Sequence, residues 1–304
     1  MAWRSVVINN PARLTLKHQA LQVEQDSGTV SVPLEDIATL IIDHPQVTLT
    51  NQLLSVCASQ QIAVITVGQT HTPNGVLLSF LPHSRALKIM RQQLAMSTPH
   101  KKRLWQGIVQ QKLRNQAEVL IRHGEADTAN RLHALANRVR SGDPDNCEAQ
   151  GAQLYFPGLF GLDFTRDQPD LANAALNYGY SIIRSALARA LVGYGFLPAF
   201  GLHHKNEQNA FNLADDLIEP YRPLVDARVL TIYRDAQPEE TLNTSAKTQL
   251  ISLLHKDAPR LENGKSLGTS TILALIDATV ISLGQRVTDG EYNLTLPGLT
   301  DKPS

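Results

Sequence analysis

Residues 169–194 read PDLANAALNYGYSIIRSALARALVGY, and apolar side chains recur in them at three- and four-residue steps. Such spacing gathers the apolar residues on one face of an α-helix. We therefore predict a helix over this range that forms the buried axis of a helical domain. Its apolar face comprises Ala175, Leu176, Ile182, Ile183, Ala186, Leu187, Ala190 and Leu191.

The chain changes character near residue 80. Before this point the sequence predicts one short helix, at about 51–60, among β-rich runs at 5–8, 14–16, 20–24, 29–33, 39–42, 47–49, 62–67 and 75–79. After His83 it predicts helices at 84–97, 100–123, 125–140, 145–160, 169–194, 208–234, 241–256 and 266–286. The expected fold is α+β, with a small N-terminal β-sheet domain over 1–80, a larger all-helical domain over 84–287 and a loose tail over 288–304.

The composition excludes several classes of protein. The 304 residues include only two cysteines, Cys57 and Cys147, so no disulfide framework or thiolate zinc site is expected. No apolar run reaches the length of about 18 residues that is typical of a membrane-spanning helix, and the longest candidate is interrupted by Asp277. We expect a soluble cytoplasmic protein that does not bind membranes.

The formal net charge of zero conceals a basic segment. Between His83 and Arg140 there are 12 lysine and arginine residues and 3 acids, so this segment carries 12 − 3 = +9 and the remainder −9. Basic helices are often only solvated surfaces. A segregated block of this size also favours contacts with the phosphates of a nucleic acid.

Metal-binding residue types cluster in one place, at His203-His204-Lys205 and the following acidic helix. Asp215 and Asp216 lie one helical turn before Glu219, so neighbouring positions on one helix face are acidic and call for a compensating cation. A proline disfavours helical geometry in the residue before it, so we predict a kink at Glu219-Pro220.

This cluster has an ordinary interpretation and a functional one. Acidic helix faces are commonly only solvated, and a histidine pair on a loop is commonly a surface feature. Taken together, carboxylates with at most one imidazole suit Mg²⁺ or Mn²⁺ better than zinc. A metal site of this kind indicates phosphoryl transfer.

Three segments, with the chain length, resemble the CRISPR-associated adaptation integrases, most closely their type II subtype C branch. They are His203 to Pro223, with the wording Asp-Asp-Leu-Ile-Glu-Pro at 215–220; Asn173 to Leu191; and Asp143 to Phe156. The Trp3-Arg4 opening agrees with this branch. Within this resemblance the catalytic and metal-binding residues are Glu148, His204 and Glu219, with Asp216 as a possible additional acid. Candidate DNA-binding residues are Lys101, Lys102, Arg103, Arg138 and Lys205.

The resemblance implies a metal-dependent DNA integrase and endonuclease that uses Mg²⁺ or Mn²⁺. Such an enzyme inserts short double-stranded DNA fragments as new spacers into CRISPR repeat DNA, through attack of a 3′-hydroxyl on a phosphodiester. The implied assembly is a homodimer formed through the β domain, with two such dimers bridged by a dimer of the smaller adaptation subunit, CRISPR-associated protein two. Two alternatives stay open: a structure-specific nuclease that uses water, and a DNA-binding scaffold without catalysis.

Overall fold

The computed structural model describes residues 4–68, 73–80, 83–235 and 242–299. An N-terminal β-sheet region is followed by a mostly helical region, so the predicted α+β fold class is confirmed. Trp3 of the opening motif and residues 300–304 of the tail lie outside the described residues.

The N-terminal region contains all eight predicted strands, each within a few residues of the expected position. The strands are β1 Arg4–Ile8, β2 Ala12–Lys17, β3 Ala20–Gln25, β4 Gly28–Pro33, β5 Ile37–Ile42, β6 Val47–Leu49, β7 Ala63–Val67 and β8 Pro73–Leu77. Helix α1 spans Asn51–Ser59 between the sixth and seventh strands. The strands form two four-stranded sheets with the orders β1-β5-β7-β8 and β4-β3-β2-β6.

Strand β5 joins the two hydrophobic cores of the molecule. Successive side chains of a strand point to opposite faces of its sheet. Leu40 and Ile42 therefore pack in the core of the N-terminal region, whereas Ile41 packs in the core of the helical region. Burial on both faces explains why this strand is apolar at every position except Thr39.

The helical region is built around the helix predicted from residues 169–194. This helix, α6, spans Leu171–Gly193, and all eight residues of its predicted apolar face are buried. The helices are α2 Ala86–Ala95, α3 Thr98–Arg122, α4 Ala126–Arg138, α5 Cys147–Phe160, α6 Leu171–Gly193, α7 Asn212–Leu217, α8 Arg222–Asp235, α9 Thr244–Ser252 and α10 Ile272–Asp289. Among the described residues, no helix is both long and apolar enough to cross a bilayer.

The predicted helix over 266–286 is partly wrong. Strands β9, Asp257–Glu262, and β10, Lys265–Thr271, form an antiparallel hairpin, and α10 begins only at Ile272. The turn is Asn263-Gly264, with φ angles of 51° and 73°. Positive φ at both central residues is what a tight hairpin turn requires, and Asn-Gly is a strong signal for it.

The C-terminal segment also differs from the loose tail expected over 288–304. Strand β11, Thr295–Pro297, pairs with β9, and its three residues are buried. The hydroxyl of Thr279 donates a hydrogen bond to the carbonyl of Thr295 over 2.7 Å. A strand of three residues has too little periodicity to be recognised from sequence.

The helix predicted over 208–234 is broken where the proline indicated. Helix α7 ends at Leu217, a 3₁₀ turn spans Glu219–Tyr221, and α8 begins at Arg222. The break separates two short helices and leaves Glu219 at their junction, buried among neighbouring helices.

Candidate active site

Glu148 lies in the first turn of α5, where a second acid organises the backbone. Both carboxylate oxygens of Asp143 accept backbone hydrogen bonds, from the N–H of Cys147 over 2.9 Å and from the N–H of Glu148 over 3.0 Å. A carboxylate is favoured at a helix N-terminus because the N–H groups there have no partner within the helix. Asp143 therefore fixes the start of α5 and leaves the side chain of Glu148 30% exposed.

Lys112 connects Glu148 to Glu219. Its ammonium donates hydrogen bonds to one oxygen of each glutamate, although the three residues belong to three different segments of the chain. The side chains of Lys112 and Glu219 are only 7% and 8% exposed. Two carboxylates, one buried and one partly exposed, thus converge on the ammonium of Lys112.

Arg222 adds a second cation to this cluster. Its Nε donates to the other oxygen of Glu219 over 2.8 Å, and its guanidinium lies 4.5 Å above the ring centre of Tyr180. The hydroxyl of Tyr180 in turn donates to buried Asp226. The guanidinium is thereby held in place on both sides.

The charges of this cluster stabilise one another. Burial disfavours ionisation of Glu219, but Arg222 and Lys112 outweigh that effect and lower the pKa of Glu219 to about 2. Burial also opposes the charge of Lys112, whose pKa is nevertheless raised by Glu219 and Glu148. Buried ions are tolerated only with such partners, since removing water from a lone ion costs several kcal/mol.

Asp216 organises the loop that holds the histidine pair. It is fully buried and accepts backbone hydrogen bonds from Leu202, His203 and His204 over 2.5, 3.1 and 3.1 Å. A Cβ atom at Gly201 would lie 2.7 Å from the Asp216 carboxylate and 2.5 Å from the carbonyl of His204, so only glycine fits there. The loop is wrapped tightly around one carboxylate.

The same carboxylate orients the imidazole of His204. Its Oδ1 lies 2.7 Å from Nδ1 of the ring, and this hydrogen bond raises the pKa of His204. Because Nδ1 is engaged by Asp216, Nε2 is the ring nitrogen left for a ligand. Pairing of a histidine with a carboxylate is the usual way that proteins set the tautomer of a metal-binding imidazole.

His203 has different surroundings from its neighbour. Its ring stacks on Trp105 of α3 with 4.3 Å between ring centres and 4° between planes. Burial lowers the pKa of His203. The indole of Trp105 also meets the edge of His204, at 5.8 Å and 85°. Trp105 therefore supports both rings of the pair from α3.

The predicted site residues fall into two neighbouring groups. Glu148 and Glu219 meet at Lys112, and His204 is held by Asp216. Asp215 stands apart, in an ion pair with Arg184 of α6 over 2.5 Å. The expectation that cations compensate the acidic helix is therefore confirmed for both Asp215 and Glu219.

The predicted DNA-binding residues belong to three segments of the chain. Lys101, Lys102 and Arg103 lie on the first turns of α3, whereas Arg138 is exposed at the end of α4 and Lys205 is exposed beside the histidine pair. Arg103 is placed over the ring of Tyr292, 4.8 Å from its centre.

The sequence interpretation missed three residues of the site: Lys112, Trp105 and Asp143. Lys112 and Trp105 lie seven residues apart on α3, and therefore on one helix face. Both are buried, at 5% and 3% exposure, which the basic composition of this segment concealed. The available signal was the heptad spacing of a tryptophan and a lysine within an otherwise basic and amide-rich stretch.

The donor set fits a divalent cation, although some rearrangement is needed. Among the residues that the structure describes, no three His, Cys, Asp or Glu side chains are arranged to hold a metal ion as they stand. The two glutamates already converge on the ammonium of Lys112. Glu219 also contributes to the raised pKa of His204, so the imidazole lies within electrostatic reach of this carboxylate. Glu148, Glu219 and Nε2 of His204 are the groups that could hold Mg²⁺ or Mn²⁺.

Comparison with known proteins gives the family. The family described as CRISPR associated protein Cas1 matches residues 6–258. The chain is 44% identical over 289 residues to the CRISPR-associated endonuclease Cas1 of Neisseria meningitidis serogroup C, a relative of the type II subtype C branch, with 95% of this chain and 93% of the relative covered.

Two solved structures have the same fold at low sequence identity. A casposase bound to integration product is 16% identical, with a TM-score of 0.77 over 100% of this chain and 96% of that one. A Cas6-RT-Cas1--Cas2 complex is 20% identical, with a TM-score of 0.74 over 99% of this chain and 36% of that one. The extent of the family match and the Neisseria relative together establish that the chain belongs to the Cas1 family of CRISPR-associated proteins.

Proposed function

We propose that this protein is a DNA integrase that inserts short DNA fragments into a CRISPR repeat array. The observation that supports this most strongly is that Glu148 and Glu219 converge on the ammonium of Lys112. Beside them lies the imidazole of His204, which Asp216 orients. The endonuclease name of the Neisseria relative agrees with chemistry on phosphodiesters. Its 44% identity extends over nearly the full length of both chains.

The proposed cofactor is Mg²⁺ or Mn²⁺, held by Glu148, Glu219 and Nε2 of His204. A bound divalent cation neutralises charge on the reacting phosphate and lowers the pKa of a bound hydroxyl. Hard carboxylate oxygens favour these two ions over softer metals. For the ion to enter, the ammonium of Lys112 has to release at least one of the two carboxylates.

The remaining residues position these groups and balance their charge. Asp216 holds the 201–204 loop through three backbone hydrogen bonds and sets the tautomer of His204. Arg222 keeps the second oxygen of Glu219 engaged. Lys112 and Arg222 also provide positive charge beside the place where a phosphate would gain negative charge.

The proposed reaction exchanges one phosphodiester for another. The 3′-oxygen of the fragment loses its proton and forms a bond to a phosphorus of the target strand. The bond from that phosphorus to the 3′-oxygen of the target breaks, and the released oxygen takes up a proton. No covalent bond to the protein is needed, so positioning and charge stabilisation supply the catalysis.

The proposed partners are double-stranded DNA fragments, CRISPR repeat DNA, a second copy of this chain and the smaller Cas2 subunit. The neighbour solved as a Cas6-RT-Cas1--Cas2 complex supports the last of these. Edge strand β4 exposes 60% of Val30, which supports dimer formation through the β region. Two such dimers bridged by one Cas2 dimer would be detected by the mass of the purified complex.

A joining assay tests the proposal. Labelled fragments that end in a 3′-hydroxyl are incubated with repeat-containing target DNA and Mn²⁺, beside fragments that end in a 3′-dideoxy nucleotide. We expect label to enter the target only with the hydroxyl, because this group is the proposed nucleophile. Equal cutting of the target by both fragments, without transfer of label, would replace the integrase with a nuclease that uses water.

A further inference from the structure

Strand β11 presents backbone groups to helices α3 and α10. It is the outer strand of the sheet with the order β10-β9-β11. In an antiparallel strand, alternate residues direct their N–H and C=O groups toward the neighbouring strand and away from it. Thr295 and Pro297 direct their carbonyl oxygens away from β9, where side chains of α10 and α3 donate to them over 2.7 and 3.0 Å. Proline is compatible with such an outer position, since it has no N–H to pair.

Asn115 of α3 binds β11 and the 219–221 turn at the same time. Its amide nitrogen donates to the carbonyl of Pro297 over 3.0 Å and to the carbonyl of Pro220 over 2.7 Å. Its amide oxygen accepts a hydrogen bond from Gln111 over 2.9 Å. A carboxamide has two N–H donors, so both are used. The side chain is buried, and its three contacts leave it one orientation.

Thr279 of α10 forms a second link between the same two segments. Its hydroxyl has one proton, which goes to the carbonyl of Thr295 because that oxygen can only accept. The hydroxyl of Tyr221, 2.7 Å from the oxygen of Thr279, must therefore donate to it. Both side chains are fully buried. The 219–221 turn is thus bound to β11 through two of its three residues, Pro220 and Tyr221.

Glu219 is the first residue of this turn. Its carboxylate meets Lys112 and Arg222, whose long side chains can follow it if the turn moves. The backbone of the turn is instead fixed by the two links to β11. A metal ion holds its ligands at narrowly defined distances, so a carboxylate on a fixed backbone binds it with a smaller loss of conformational freedom.

We propose that Asn115 and Thr279 are positioning residues for Glu219, and that through them the docked strand β11 sets the affinity of the metal site. The inference rests on the proposed function, because it takes Glu219 as a metal ligand. Neither side chain is placed at the metal. Asn115 acts through the carbonyl of Pro220, and Thr279 acts through the hydroxyl of Tyr221.

Substitution of Thr279 is the sharpest test, since valine has nearly the same shape without the hydroxyl and serine keeps it. Electron paramagnetic resonance measures free Mn²⁺ during titration of the full-length protein without DNA. We expect Thr279→Val to bind Mn²⁺ roughly tenfold more weakly than wild type, and Thr279→Ser to bind it as wild type does. Wild-type affinity in folded Thr279→Val would contradict the inference.

Thr271→Val is the matched control for a loss of stability. The hydroxyl of Thr271 caps the start of the same helix, α10, by accepting from the N–H of Ala274 over 3.3 Å. Its removal should lower the melting temperature and leave the affinity for Mn²⁺ unchanged. If Thr271→Val weakens Mn²⁺ binding as much as Thr279→Val does, affinity only follows overall stability and the positioning role is wrong.

Gly298→Val tests the role of β11 from a distance. A Cβ atom at Gly298 would lie 2.6 Å from a methyl group of Leu261 in β9, so a larger side chain separates the end of β11 from that strand. We expect Mn²⁺ binding to weaken although no contact of the 219–221 turn is changed directly. Gly264→Val is the control, because it strains the β9–β10 turn, where φ is 73°, on the other side of the sheet. Equal Mn²⁺ affinities in the two folded variants would show that β11 does not set the site.

Asn115→Leu removes the other link and should also weaken Mn²⁺ binding roughly tenfold. Its melting temperature should fall as well, since two buried carbonyl groups lose a donor. The two proposals fail in different ways. If Glu219→Gln loses Mn²⁺ binding but folded Asn115→Leu and Thr279→Val keep it, this inference alone is wrong. If Glu219→Gln binds Mn²⁺ as tightly as wild type, the proposed metal site is wrong, and the inference fails with it.

Discussion

Two acids three residues apart, Asp216 and Glu219, have different hydrogen-bond partners in this molecule. Asp216 is fully buried and both its oxygens are occupied by three backbone N–H groups and one imidazole. Glu219 is also buried, but it shares a lysine with Glu148, whose side chain is 30% exposed. The carboxylate of Asp216 therefore holds a loop in place, whereas that of Glu219 belongs to a cluster that opens to solvent at Glu148.

The difference shows how one acidic segment can combine structure and chemistry. Backbone hydrogen bonds cannot be exchanged without unfolding the 201–204 loop, so Asp216 is fixed. An ammonium at the end of a flexible side chain can move, and a metal ion can take over its contacts with Glu148 and Glu219. Substitutions of Asp216 and of the two glutamates should therefore change activity and stability in different ways.

Loss of either shared glutamate should have the largest effect on activity. Glu148→Gln and Glu219→Gln are expected to lower the joining rate on the order of 1,000-fold, because a metal ion contributes several kcal/mol and each 1.4 kcal/mol is about tenfold. Joining assays with Mn²⁺, beside circular dichroism for folding, provide the measurement. Wild-type rates in folded Glu219→Gln would remove this residue from the site.

Lys112→Met should change stability and make it depend on metal. In the presence of EDTA, the variant is expected to lose about 3 kcal/mol, because two carboxylates are left without this cation. Added Mn²⁺ should raise the melting temperature of the variant more than that of wild type, since the vacated carboxylates can bind it. Lys88→Met on exposed α2 is the matched control. Equal Mn²⁺ shifts in all three proteins would show that Lys112 does not compete with metal.

Asp216→Asn should reduce activity and stability together. Substitutions behind a metal-binding histidine typically cost roughly 10- to 100-fold in affinity or activity. Because the same carboxylate also holds three backbone N–H groups, the melting temperature in EDTA should fall as well. A variant that loses activity with an unchanged melt would mean that Asp216 acts as a metal ligand and not as the centre of the loop.

Asp215→Asn should have the smallest effect. Asp215 pairs with Arg184 over 2.5 Å and accepts from Asn209 over 2.6 Å, away from the two glutamates. We expect the free energy of unfolding to fall by about 1–2 kcal/mol, since one charge-assisted pair is lost. The joining rate per folded molecule should stay at the wild-type level, and a large loss would place Asp215 in the reaction.

Local patterns in the sequence predicted much of the fold. The apolar face of α6, the eight N-terminal strands and the break at Pro220 all follow from short-range rules. The Asn263-Gly264 hairpin was equally local and was overlooked inside a stretch interpreted as helix. Strand β11 is too short to recognise without its partner β9.

The site was harder to predict because its contacts are distant in sequence. Lys112 is 107 residues from Glu219, and its side chain is indistinguishable by type from the solvated lysines around it. Residue type and family resemblance together pointed to Glu148, His204 and Glu219. The different role of Asp216 depends on three backbone hydrogen bonds, which the sequence does not reveal. Only the folded chain shows which carboxylate each loop N–H reaches.

Binding of Mn²⁺ tests the central claim, that Glu148, Glu219 and His204 form one metal site, most directly. Electron paramagnetic resonance measures free Mn²⁺ during titration of wild type, Glu148→Gln, Glu219→Gln and, as the control, Asp215→Asn, all without DNA. We expect wild type and Asp215→Asn to bind the ion with the same affinity and both glutamine variants to lose that binding. If the glutamine variants bind Mn²⁺ as tightly as wild type, the two glutamates do not hold the metal and the account is wrong.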